Sequence, residues 1–271
     1  MTELLNFKGA NSSSDRQLQI IDLSDTLQND KDWAPWWARN VVTYQGHKFG
    51  RFAIWLLFGI TPKYLRGKLG WANETIKLST HGTTHMDAPW HYAPTSEGKQ
   101  AKTIDQIPLE WCYSDGVVLD MRHKSDGSAI TVQDVELALE KINYQLKPFD
   151  IVLIQTGNDR RLGTPEYFTH GCGVSAQATH WLIDKGIKVM GIDSWGWDVP
   201  LRVQAKEAKE SGRDDIFWAA HFVGIDKEYC QLERLANLNQ LPSYGFKVAA
   251  FPLKIKDASA GPSRVVGIIE N

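Results

Sequence analysis

The run Asp150-Ile151-Val152-Leu153-Ile154-Gln155-Thr156 constrains this chain more than any other segment. Four consecutive branched apolar residues between polar ends, too short for an amphipathic helix, predict a strand buried on both faces. Such strands belong to sheets covered by helices. The neighbouring segments supply them. Gln19–Leu23 and Val117–Asp120 read as strands. Thr131-x-x-Asp134 opens a helix with Val132, Val135 and Leu139 on one face, and Ser175 caps a second that runs to about Ile183 and ends at Gly186. Ile187–Ile192 predicts the next strand, Asp226 a cap for a third helix towards Leu235, and Lys247–Leu253 and Arg264–Ile269 two closing strands. Strand and helix in alternation predict an α/β protein in a single domain.

The first sixteen residues, rich in serine and asparagine, are expected to form a flexible N-terminus ahead of a domain spanning 17–271. Within it, residues 31–73 are aromatic and broken by Gly50, Gly59, Pro62, Gly67 and Gly70, which predicts an arm or insertion with a short helix near Trp55. Thirty basic against 32 acidic side chains leave a charge of -2, no electrostatic footprint for nucleic acid or an anionic membrane. Phe52–Phe58, the longest apolar run, is too short to span a bilayer. The start of the chain lacks a signal-peptide pattern, so a cytoplasmic location is expected. Cys112, Cys172 and Cys230 share no metal-like spacing and read as free thiols. Eleven tryptophans suit a core, a pocket for a flat apolar ligand, or a subunit interface.

Chemistry concentrates at Ser79-Thr80-His81-Gly82-Thr83-Thr84-His85-Met86-Asp87-Ala88-Pro89-Trp90-His91. Three of the chain's eight histidines and an aspartate fall within eleven residues. Imidazole and carboxylate are ligands for zinc, manganese and similar ions, and a catalytic site needs about three with one position open. The Gly-Thr-Thr spacer and Pro89 argue against a helix. In an extended segment His85 and Asp87 project to the same side, and a bend at Gly82 lets His81 converge on them. The four residues together predict a metal site. No glutamate follows His81, which removes the HExxH protease pattern.

At these residues the chain resembles the cyclase family of metal-dependent hydrolases, the family of kynurenine formamidase and isatin hydrolase. Thr80 to His91 is similar to the signature His-x-Gly-Thr-His-x-Asp-x-Pro-x-His, with the glycine displaced by one place in Gly82-Thr83-Thr84-His85. Leu153–Gly157, Val189–Asp193 with Asp198, and Ala258–Arg264 resemble further family segments, although Trp195-Gly196-Trp197 replaces small residues. His221 and Glu233, twelve apart, match a late histidine and glutamate.

The resemblance implies a swivelling β/β/α fold. It implies His81, His85 and Asp87 as ligands of a first Mn2+ or Zn2+ ion, and His221 and Glu233, with Asp87 bridging, as ligands of a second. It implies His91 as the acid/base. The expected activity is hydrolysis of a C–N bond in a small linear or cyclic amide, an arylformamide, imide or lactam. A lactone hydrolase, a ring-forming cyclase and a non-catalytic metal-binding protein are the alternatives. Trp90, Trp195 and Trp197 lie beside the matching segments and are expected to line an apolar pocket for a small-molecule substrate. A homodimer or larger homo-oligomer is expected, with 31–73 as a contact.

Overall fold

The computed structural model describes residues 18–270; the expectation for residues 1–16 lies outside them. The chain separates into two compact units: Thr80–Asn271 together with the chain up to Thr26, and Leu27–Ser79.

The larger unit is built on a nine-stranded mixed sheet. In spatial order it runs β1 (Leu18–Asp22), β15 (Val266–Glu270), β13 (Phe246–Ala249), β7 (Tyr113–Asp120), β9 (Ile151–Gln155), β11 (Val189–Ile192), β12 (Cys230–Glu233), β4 (His85–Asp87) and β14 (Ala260–Pro262). The central four, β7, β9, β11 and β12, are parallel, and the strands on either flank are antiparallel. All five residues of β9 are buried, as its unbroken apolar run predicts. One sheet face packs Val117, Leu119, Val152, Ile154, Met190 and Ile192 against the helices; the opposite face packs Val118, Ile151, Leu153, Leu232 and Val248 into a second core.

The helices on the first face begin where side chains can satisfy their free N–H groups. Thr131 and Asp134 form a reciprocal capping box on α3 (Val132–Lys141), which buries Val135 and Leu139. Ser175 accepts from the Ala178 N–H at the start of α4 (Ala176–Asp184). The third expected helix is corrected. Asp226 ends α6 (Ala219–Asp226) rather than starting a helix, and residues 230–233 form strand β12. Apolar residues lie all round the Ala219–Ile225 segment, so no amphipathic stripe marked it, while Cys230–Glu233 is extended because it completes the parallel sheet beside β11. A further helix, α5 (Leu201–Ser211), was not anticipated. Short pairs β5 (Thr95–Ser96) with β6 (Lys99–Gln100) and β8 (Ala129–Ile130) with β10 (Gly173–Val174) complete this unit, along with the single turn α2 (Pro89–Tyr92).

In the smaller unit, β2 (Val41–Gln45) and β3 (Asn73–Lys77) pair antiparallel, and α1 (His47–Phe58) contains Trp55, where a short helix was expected. The buried Asp30 carboxylate accepts from the Asn40 backbone N–H at 2.7 Å and its side-chain amide at 2.9 Å. No helix among the described residues is long and apolar enough to cross a membrane.

Candidate metal centre

Sheet register assembles the centre. β4 is only three residues long but is paired on both sides, with His85 opposite Glu233 and Asp87 opposite Gln231 on β12. Alternation puts His85, Asp87 and Glu233 on one face. Pro89 then starts the single turn α2 at its N1 position, which carries His91 back over Asp87. His221 arrives from α6, whose approach to α2 depends on Gly224: a Cβ there would meet the Tyr92 ring at 2.2 Å. Glycine is needed for close packing at that point.

Asp87 sits at the middle of the cluster with no exposed surface. Its carboxylate lies 2.9 Å from His81 Nδ1, 3.1 Å from His85 Nε2, and 3.9 Å from both His91 Nε2 and His221 Nε2. Glu233 comes within 3.7 Å of His85 Nε2 and 3.4 Å of His221 Nε2. Two overlapping triads emerge whose donor atoms lie within 4.8 Å of one another: His81, Asp87 and His91, and His85, Asp87 and Glu233. The family resemblance implies His81, His85 and Asp87 around one ion and His221 and Glu233, with Asp87 bridging, around a second. The structure brings all six residues, His91 included, into one cluster.

The donor set fits a divalent cation. Neither Asp87 oxygen accepts a hydrogen bond of ordinary geometry among the described residues, an arrangement costly for a buried carboxylate unless a cation meets it. The outer nitrogens of two imidazoles are already engaged. His85 Nδ1 lies 2.7 Å from the Thr83 carbonyl and so donates to it, and His221 Nδ1 contacts the Asp198 carboxylate. In the neutral ring each inner Nε2 therefore presents a lone pair to carboxylates, which is favourable only with a proton or a metal cation between them. His81 Nε2 contacts the Ser259 hydroxyl at 3.2 Å.

Titration tendencies agree on the demand for positive charge. Burial resists ionisation of Asp87, yet His91, His85 and His81 hold its carboxyl well below the usual range. Burial likewise opposes the His85 and His221 imidazoliums, but Asp87 lifts His85, and Asp198 with Glu233 lifts His221 to about 10. His91 goes the other way. Burial pushes it down to about 4 against the pull of Asp87, leaving its ring neutral at pH 7.

Several supports lay beyond sequence reasoning. Arg234, buried at the end of β12, donates to the Gly82 carbonyl at 2.7 Å and to Asp25 at 2.6 Å, while the Thr84 hydroxyl donates back to the Arg234 carbonyl at 2.5 Å. This clamp holds the loop between His81 and His85. Gly82 lies in the expected bend, and its carbonyl is the one Arg234 holds. Trp218, in a left-handed conformation just before α6, stacks on His221 at 4.5 Å and meets His91 edge-on at 5.0 Å. No local motif announced either residue.

The three tryptophans expected to line a pocket part company. Trp197 is fully buried in the core, its indole N–H donating to Thr179 at 2.9 Å, and this corrects its expected place at the substrate. Its backbone N–H donates to Glu233 at 2.9 Å, so it orients a candidate ligand instead. Trp90 remains 39% exposed beside His91, and Trp195 is half-buried against Phe168. Asp193, in the same matching segment, accepts from the Thr156 N–H and hydroxyl and from the Gly157 N–H.

Comparison with known proteins adds independent findings. The Cyclase family model matches residues 21–199, a stretch that contains His81, His85, Asp87 and His91 but stops short of His221 and Glu233. The chain is 27% identical over 255 residues to a kynurenine formamidase of Erythrobacter litoralis, covering 94% of this chain and 96% of that protein. It is 26% identical over 202 residues to an isatin hydrolase of Roseibium aggregatum, covering 71% and 73%. Among solved structures, isatin hydrolase A from Labrenzia aggregata, bound to benzyl benzoate, superposes with a TM-score of 0.72 at 24% identity, covering 94% of each chain.

Proposed function

From the premise that this chain belongs to the cyclase family, we propose that it is a metal-dependent amidohydrolase opening a non-peptide C–N bond in a small amide, whether arylformamide, imide or lactam. The observation that carries the reading is Asp87: a wholly buried carboxylate ringed by four imidazoles and, among the described residues, left without ordinary hydrogen bonds. Relatives named for formamide and isatin hydrolysis support the C–N class.

His81, His85, Asp87, His221 and Glu233 would hold the cation, and their nitrogen and oxygen donors suit Mn2+ or Zn2+. When bound, such a cation supplies a Lewis acid and an acidified water at neutral pH. The remaining work falls to the chain. His91 is neutral, partly exposed and aimed at Asp87 through Nε2, so it can accept a proton from the attacking water and return it to the departing nitrogen. That return matters because an amide nitrogen leaves poorly until protonated. Thr83, Asp198 and the Trp197 backbone keep the ligands oriented through turnover. Trp90 and Trp195 offer apolar walls for a compact ring.

A non-catalytic metal protein fits less well. Structural zinc prefers closed cages, often with thiolates, and all three cysteines lie outside the cluster. A panel of arylformamides, lactams, imides and lactones, assayed with the metal-stripped protein and after adding Mn2+ or Zn2+, tests the proposal. Metal-dependent turnover of an amide supports it. Turnover confined to lactones, or none with any substrate, would overturn it.

A further inference from the structure

Strand β7 is paired along only part of one edge. β13 meets it from Tyr113 to Gly116, and residues 117–120 run on beyond that strand. The Val118 N–H donates instead to the Ser243 carbonyl at 2.8 Å. Helix α3 and the segment 239–243 flank this free stretch without closing over it, and a cleft of about 240 Å3 remains. It lies apart from the imidazole cluster. β9 stands two places and β7 three places from β12 in the sheet, roughly 10 and 14 Å at the ordinary strand spacing.

The lining determines what the cleft can hold. Val118, Ile142 and Leu241 give it apolar walls. An apolar cavity of about 150 Å3 holds benzene, so this larger one takes a single ring with a polar substituent. Gln155, at the end of β9, also lines the cleft and is only 7% exposed, yet its side-chain amide has no hydrogen-bond partner among the described residues. An amide so buried is costly to leave unpaired, and the cleft is where a partner can reach it.

Charge fixes the sign of that partner. Asp120 and Arg122 neutralise one another through two hydrogen bonds, Nε to Oδ1 at 2.8 Å and Nη2 to Oδ2 at 2.7 Å. Lys141, in the last turn of α3, forms no ion pair among the described residues, so the lining carries one net positive charge. An ammonium and an amide donor beside apolar walls suit a carboxylate on a small ring.

We propose that this cleft is a second ligand site, separate from the metal centre, for a small carboxylate with a one-ring apolar body. The Gln155 amide donates to the carboxylate, Lys141 supplies the opposing charge, and the ring lies against Val118, Ile142 and Leu241. The inference is independent of the metal and of the reaction.

Calorimetric titration of the full chain with benzoate tests it, with benzamide and benzylamine as neutral and cationic controls. Benzoate should bind saturably, and both controls at least about tenfold more weakly. Lys141→Ala and Gln155→Leu should each weaken benzoate at least about tenfold, with circular dichroism checking the fold. Lys141 is exposed, so its variant decides the matter if Gln155→Leu does not fold. Treatment with a chelator should leave benzoate binding unchanged. The inference is overturned by absent or non-saturable benzoate binding, by benzamide or benzylamine binding as tightly, or by an affinity that a folded variant does not change. Loss of binding on chelation would also overturn it, because benzoate would then belong to the metal centre.

Discussion

His85 and Glu233 stand directly opposite one another on antiparallel strands β4 and β12, with His85 Nε2 3.7 Å from the Glu233 carboxylate. This pairing ties the local histidine cluster to a residue almost 150 positions away. It makes the candidate centre a product of sheet register, since a one-residue slip would turn Glu233 to the other face.

Asp87 and Glu233 should differ in their effect on bound metal. Asp87 lies within 3.9 Å of four imidazoles, whereas Glu233 lies within 3.7 Å of His85 and 3.4 Å of His221. Elemental analysis of purified variants is expected to show no tightly held metal in Asp87→Asn and a partial loss in Glu233→Gln. Full occupancy in Asp87→Asn would contradict the centre as drawn.

His91 is assigned a proton-transfer role, although its donor atom also lies in a triad with His81 and Asp87. Replacing it with alanine should lower kcat by about 10²- to 10⁴-fold while metal content stays at the wild-type level. If the metal is lost together with turnover, His91 is a ligand and the proton carrier must be sought elsewhere.

Trp197 belongs to the core, so its truncation should be felt as stability rather than as substrate affinity. Trp197→Ala is expected to destabilise the fold by about 3–5 kcal/mol, read from denaturant midpoints, with a smaller loss for Trp197→Phe. An unchanged midpoint with a raised KM would return Trp197 to the substrate pocket.

The thiols should be silent in the native protein. Burial pushes Cys112 up to about 11 and Cys172 up to about 12, and drives Cys230 upward as well. A raised thiol pKa means less thiolate at any pH below it, on the order of one part in a thousand for Cys112 at pH 8. Mass spectrometry after iodoacetamide treatment at pH 8 should find no label on folded protein and three labels after unfolding. Rapid native labelling of Cys172 would contradict its burial and raised pKa.

Much of the site was legible in the sequence because its nucleus is local. His81, His85, Asp87 and His91 fall within eleven residues, and extended geometry alone puts His85 and Asp87 on one side. The buried run of β9 and the caps at Thr131 and Ser175 were readable for the same reason: each signal lies within a few residues of its effect. Asp226 misled because a short acidic residue suits a helix start in isolation, and only the pairing of β12 with β11 and β4 shows that the chain must be extended there.

The sequence by itself determined the chemistry available: imidazoles and a carboxylate at metal-ligand spacing within an alternating α/β chain. Tertiary structure alone decided that β12 delivers Glu233, that α6 brings His221 within 3.9 Å of Asp87, and that Trp197 turns into the core. The reason is physical. Periodicity and capping act over one or two turns of chain, whereas strand order and helix packing join distant segments through contacts no local pattern encodes.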